Sequence, residues 1–252
     1  MTGGGLRLVT DGVAAGGVRG FEVAFADAEL GEVRRPLAEV ADVAFERVAP
    51  IRSIPSYQGQ RNNPGFYWSA SVGAHVEFES WLERDEAMAL DFDVEMVGYA
   101  AQPFWLLWTE GSQRRSHAPD FFARWADGGA VVIDCRPAQR IKPRDEVAFA
   151  ATAQACAEAG WRYRLVHGHD PIWLGNVRWL AGYRHPRYRV GPVAAALREA
   201  FGEPRPLIEG VRSVGDPIAV LPVLFHLVWC AELAVDLAVR LEGWSIVTGA
   251  SR

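Results

Sequence analysis

Pro119-Asp120 is followed, fourteen residues after the aspartate, by Ile133-Asp134-Cys135-Arg136, and Glu83 lies upstream in Ser80-Trp81-Leu82-Glu83. Hydrolysis of a phosphodiester by water activated on divalent ions, roughly 4 Å apart when two are used, requires carboxylates that converge from adjacent elements. A hairpin supplies that convergence. With Asp120 opening one strand and Asp134 closing the next, antiparallel pairing across Asp127-Gly128 brings both carboxylates to one end of a sheet. Glu83 enters from the preceding helix, and the backbone carbonyl of Cys135 is a further oxygen donor. Arg136, two residues after Asp134, shares its strand face and can hold a phosphate or the charge of a transition state. The ion such a set would hold is Mg2+, or Mn2+ in its place.

Each of these residues also has a structural reading. Ser80 and Glu83 form a capping box, in which the glutamate bonds the backbone ahead of its helix. Glu77 and Glu79 are rival acids nearby, and Asp120 after a proline fits an ordinary turn. Asp134 is the harder one to explain structurally, because it ends an apolar strand, where an unpaired carboxylate is costly. His117 reads as a turn histidine in preference to a phosphate contact, and Arg114 and Arg115 as a solvated turn. The tryptophans at 105, 108, 125, 161, 173 and 179 read as core in preference to base-stacking platforms.

The elements that must position these residues follow from period and turn chemistry. Leu37 to Val48 reads as a helix, and the text from Ser53 to His75 as a loop entering a hairpin that turns near Ser71 to Ala74. Ser80 opens a helix running to about Phe92, Gln102 to Thr109 is a strand, and Asp120 to Trp125 is another. Ala126 to Gly129 is a turn, and Ala130 to Cys135 is a strand apolar on both faces, hence central. Glu146 to Ala159 is a helix stopped by Gly160, followed by a strand from Tyr163 to His167. Helix, three strands, helix, strand is the order of an α/β sandwich with a mixed sheet flanked by helices. After His185-Pro186 the composition changes. Val193 to Phe201 and Pro217 to Cys230 read as helices and Leu233 to Val247 as two short strands around Glu242-Gly243, the order of a winged helix. The expected division is an N-terminal extension over 1–50, a first domain over 51–187 and a winged-helix-like domain over 188–252.

The motif has a family counterpart. The paired text PD…IDCR is similar to the PD-(D/E)xK nuclease signature, and ESWLERDEAMALDFD, QPFWLLW and HAPDFFARWADGGAVVIDCRP together resemble the TnsA family of transposase endonucleases. The resemblance covers about Ser53 to His185 and, more loosely, PVLFHLVW and ELAVDL near the C-terminus. It implies a restriction-enzyme-like core plus a winged helix, with Glu83, Asp120 and Asp134 as the metal-binding acids. It further implies double-stranded transposon ends as the DNA, a DDE transposase as partner, and an ATPase regulator alongside. Arg136 stands where the family carries a catalytic lysine. Arginine stays protonated and binds anions but does not act as a base, so either the water is activated without one or Lys142, the sole lysine, reaches back from the following loop. Two other functions remain open: a non-catalytic subunit that binds DNA ends and assembles the transposase, and another PD-(D/E)xK nuclease of restriction or repair.

Composition sets the outer bounds. A chain of 252 residues, 50% hydrophobic and 23% charged, can bury a core. Its net charge of −5 is unevenly spread. From His75 to Glu95 eight acids face Arg84 alone, whereas from Gly160 to Val190 six arginines face Asp170 alone. That segregation suits a cation site beside a phosphate-binding surface, and equally two solvated faces. Cys135, Cys156 and Cys230 include no CxxC pair, so neither a disulfide framework nor a zinc knuckle is expected. No signal peptide is read, Pro217 to Ala231 is too short to span a bilayer, and a cytoplasmic location is expected. No GxSxG or P-loop text is present.

Overall fold

The computed structural model describes residues 18–52 and 63–250, and the chain divides into two units after Gly168. The first holds the described residues up to Leu90 together with Glu95–Gly168; the second holds Asp91–Val94 and the residues from His169 onward. The expected division near residue 187 therefore moves upstream.

In the first unit, β1 (Val18–Asp27) and β2 (Gly31–Pro36) form an antiparallel hairpin. Asp27 Oδ1 holds the turn by accepting from the N–H groups of Glu29 and Leu30, each at 2.9 Å. The helix expected over Leu37–Val48 does not form. In its place stand two 3-10 turns, Leu37–Glu39 and Phe45–Arg47. Val40, Val43 and Val48 are stiff at χ1 in a helix, and the Phe45 ring packs edge-on against Phe25, Phe104, Phe122 and Trp161, so burial overrides weak propensity. Residues 18–48 are thus part of the first unit and not an extension to it.

Then β3 (Gly65–Ser69) and β4 (Ala74–Phe78) make the expected hairpin; the Ser53–Asn62 part of the expected loop lies outside the described residues. Next come α1 (Trp81–Phe92), β5 (Met96–Ala101), β6 (Trp105–Glu110), β7 (Gln113–His117), β8 (Phe121–Trp125) and β9 (Ala130–Cys135). The unit closes with α2 (Pro143–Ala159) and β10 (Arg162–Val166). Proline at its first position starts α2, and Gly160, at φ +73°, stops it in the left-handed region.

One sheet has the order β2-β1-β6-β7, antiparallel throughout; the other has the order β10-β9-β8-β5, antiparallel except for the parallel pair β9 and β10. Every residue of β9 is buried, as an apolar central strand requires. Its even-numbered residues Ala130 and Val132 join Phe122, Trp161 and Ala151 and Ala155 of α2 in one core, while Val131, Ile133 and Cys135 join Phe121 and Ala87 and Leu90 of α1 in another. The two faces of β9 thus belong to different helices.

The second unit begins with α3 (Pro171–Ala181), capped by Asp170 Oδ1 accepting from Ile172 and Trp173 N–H at 2.9 Å each. It continues with α4 (Gly191–Ala200), β11 (Arg205–Pro206), α5 (Leu207–Val214), α6 (Pro217–Trp229), β12 (Leu233–Val235) and β13 (Ile246–Gly249), the strands ordered β11-β13-β12. Among the described residues no helix is long and apolar enough to cross a membrane.

Candidate active site

The register Phe121↔Ile133 between β8 and β9 leaves Asp120 and Asp134 next in line at the same end of the sheet. Asp120 Oδ2 accepts the N–H of Cys135 at 2.6 Å. Burial pushes the Asp120 carboxyl well above the usual carboxylate range, and the charges of Glu83 and then Asp134 push it further, against the Cys135 N–H and the Arg136 guanidinium. The charges of Glu83 on α1 and Asp134 on β9 therefore meet at Asp120, the residue before β8.

Glu83 sits in the first turn of α1, buried, with Oε2 accepting the N–H of Glu79 and Oε1 the hydroxyl of Ser80, both at 2.7 Å. Glu83 N–H in turn donates to Ser80 Oγ at 3.3 Å. The capping role is therefore present, displaced by one residue toward Glu79. Burial raises the Glu83 carboxyl above its ordinary value, with the Ser80 and Glu79 donors opposing. Each carboxylate oxygen keeps a lone pair beyond these bonds.

Asp134 is 2% exposed, and its charge is met from the α2 side. His117 Nε2 stands 2.8 Å from Oδ1, and the Tyr163 hydroxyl donates to Oδ2 at 2.8 Å. A buried carboxylate needs such partners, and strand alternation turns Asp134 to the face of Val132, away from the face that Ile133 and Cys135 share with α1. His117 reads from the sequence as a turn residue and Tyr163 as the start of a strand, and neither reading carries this role. Both come from strands remote in sequence, so only the fold could bring them to Asp134.

Arg136 is half-exposed; its Nε lies 3.9 Å from Asp145 Oδ2 and its carbonyl 2.8 Å from His167 Nδ1. Lys142 opens α2, where its backbone N–H donates to Asp145 Oδ2 at 3.2 Å and its side chain is exposed. Cys135 is buried, its thiol pushed far up by burial and then by Asp120. What it offers the acids here is its N–H.

Gln102 carries no role in the sequence reading, yet it ties the site together. It is 2% exposed and holds φ +45°, a left-handed conformation made harder by Pro103, which pushes its predecessor toward extended backbone. Its N–H donates to the Asp120 carbonyl at 2.9 Å and its Nε2 to Glu79 Oε1 at 2.8 Å. Glu79, the rival acid, also pairs with Arg52, so it buttresses Glu83 from outside the cluster.

The acidic run is half internal, whereas Arg162, Arg178, Arg187 and Arg189 of the basic run are exposed. Asp85, Glu86 and Asp91 of the acidic run are buried, Glu86 pairing with Arg164 and Asp85 with Arg84. Among the described residues no three His, Cys, Asp or Glu side chains stand in the geometry of a metal-ligand set. The donors at Asp120 are nonetheless hard oxygens crowded by mutual repulsion, a chemistry that suits a small divalent cation. No family model matches the chain, and no curated protein matches it.

Proposed function

We propose that this chain is a Mg2+- or Mn2+-dependent DNA endonuclease, acting as the TnsA-like subunit of a two-component cut-and-paste transposase. The observation that carries the reading is Asp120, a carboxyl held among Glu83, Asp134 and Arg136 and raised by burial and by its neighbouring acids. Metal and general acid–base sites are where such perturbed carboxyls gather. Topology supports it. The order α1, β5, β8, β9, α2, β10, with strand order β10-β9-β8-β5 and only β9 and β10 parallel, suits a restriction-enzyme-like core. In the second unit, helix, strand, two helices and two strands with β13 between β11 and β12 suit a winged helix.

Glu83 and Asp120 would hold the cation, while Asp134, turned to the α2 face, would act on Asp120 through its charge. A bound cation supplies Lewis acidity at the phosphorus–oxygen bond and lowers the pKa of water. The chain's own residues do the rest. Gln102 and the Cys135 N–H fix Asp120, Ser80 and the Glu79 N–H fix Glu83, and His117 and Tyr163 fix Asp134. Arg136, half-exposed and only loosely tied to Asp145, would bind a phosphate oxygen. A second reading, a DNA-end-binding assembly subunit without chemistry, draws on the orientation of Asp134 toward His117 and Tyr163 and on the arginine at position 136.

The deciding experiment is strand cleavage at transposon-end DNA by the complex assembled with its DDE transposase, in Mg2+ and in Mn2+, with wild type and Asp120→Asn. Cleavage of the strand the transposase leaves intact, lost in the variant, is expected. No cleavage of that strand by the wild type in either metal would leave the assembly role standing alone, and equal cleavage by both proteins would remove Asp120 from the reaction.

A further inference from the structure

Beside the acid cluster, the β6–β7 hairpin and the first turns of α2 enclose a cavity of about 300 Å3 lined by Trp108, Arg115, His117, Arg144 and Asp145 among others. The pairs Trp108↔Arg115 and Leu106↔His117 put the indole, the guanidinium and the imidazole on one face of the hairpin.

Trp108 supplies the unexplained feature. It is 4% exposed, and its indole N–H is buried with no acceptor, whereas buried tryptophan N–H groups nearly always find one. Two arginines line the same space. Arg115 uses Nε on Glu110 at 3.1 Å, and a guanidinium carries four further N–H donors. Arg144 is 80% exposed, its Nε 3.5 Å from Asp145 Oδ1. The one acid in the lining, Asp145, is already faced by Arg144, by Arg136 and by the Lys142 N–H. Two guanidiniums thus line the cavity from β7 and α2 against one acid of its lining, Asp145, with Arg115 also met by Glu110, and the buried indole of Trp108 closes the β6 wall. Two guanidiniums in one cavity suit a phosphate, whose oxygens accept several charge-assisted bonds at once.

We propose that this cavity is a phosphate site that takes a backbone phosphate of a nucleic-acid strand adjoining the acid cluster. The oxyanion site stands on the cavity alone; its assignment to nucleic acid rests on the nuclease reading above. His117 links the two sites, lining the cavity while contacting Asp134.

The test follows the tryptophan indole signals of the full chain, labelled with 15N, in chelator so that no metal and no cleavage intervene. Inorganic phosphate and a short DNA duplex are titrated separately, and the Trp108 signal is identified by its loss in Trp108→Phe. A saturable shift of that signal is expected with both, weakened about tenfold by Arg144→Gln, the loss of one charge-assisted contact. The other nine indole signals report that the variant is folded. A shift with phosphate but none with DNA keeps the oxyanion site and removes its assignment to nucleic acid. A Trp108 signal unmoved by either, or moved as strongly in Arg144→Gln and in Arg115→Gln as in the wild type, overturns the proposal whatever the cleavage assay shows.

Discussion

Gln102 donates its backbone N–H to the carbonyl oxygen of Asp120 at 2.9 Å from a left-handed conformation that only its surroundings sustain. Strain of this kind costs on the order of 1–3 kcal/mol and persists where neighbouring contacts over-determine it. Gln102→Ala keeps the strain and loses the amide bond to Glu79, so urea unfolding should show a loss of about 1–3 kcal/mol. Gln102→Gly loses the same bond without the strain and should be the more stable of the two by about 1 kcal/mol. The reverse ranking would show that the conformation at 102 is not strained.

The pair of donors on Asp134 predicts a different outcome. Tyr163→Phe leaves a buried carboxylate oxygen short of its hydroxyl partner and should destabilise the fold by about 1–3 kcal/mol in urea unfolding. An unchanged midpoint would mean that His117 alone satisfies Asp134.

The raised carboxyls at Asp120 and Glu83 fix the sign of a pH effect. In the folded chain they hold protons that the unfolded chain releases near ordinary carboxylate values, 3.8 for aspartate. Their contribution is fully present below those values and is lost as pH rises through the raised folded values. In chelator, melting temperature should therefore fall across that window, and less so in Asp120→Asn. A divalent cation should reverse the loss at neutral pH, by about 2.7 kcal/mol at a hundredfold excess over its dissociation constant. No thermal shift with Mg2+ or Mn2+ in the wild-type chain would count against a cation at these acids.

Arg136 tests the chemistry itself. In the assembled complex Arg136→Ala should reduce cleavage by roughly 2.7–4 kcal/mol of transition-state stabilisation, and Arg136→Lys should retain or raise it. Lys142→Ala should matter far less, since that side chain is exposed at the start of α2. Cleavage unaffected by Arg136→Ala would remove the arginine from the reaction.

Where the sequence was locally decisive, the elements agree with it. The Asp127-Gly128 turn, the apolar run from Ala130 and the Gly160 stop mark β8, β9 and α2 within a residue or a few. Long-range pairing was not legible. Val18–Pro36 lacks a tight-turn dipeptide and passed unread, although β1 is the strand that joins β6 to β2. β7, QRRSH, has no apolar alternation and forms because β6 offers it a ladder. Asp170-Pro171 is a helix start that would have placed α3, and with it the boundary between the units. In the site, spacing gathers Asp120 and Asp134 at one sheet end. It does not reveal that Asp134 faces the α2 side, where His117 and Tyr163 wait.

The composition of α6 bears on how DNA would be held. Its thirteen residues, PIAVLPVLFHLVW, include no lysine or arginine, and Val220 and Val223–Trp229 are buried. A helix that neutralises no phosphates displaces no counterions. If the second unit is a winged helix, α6 is not its electrostatic contact with the duplex. The steepness with which DNA binding weakens as salt rises would then be set by arginines elsewhere in the chain.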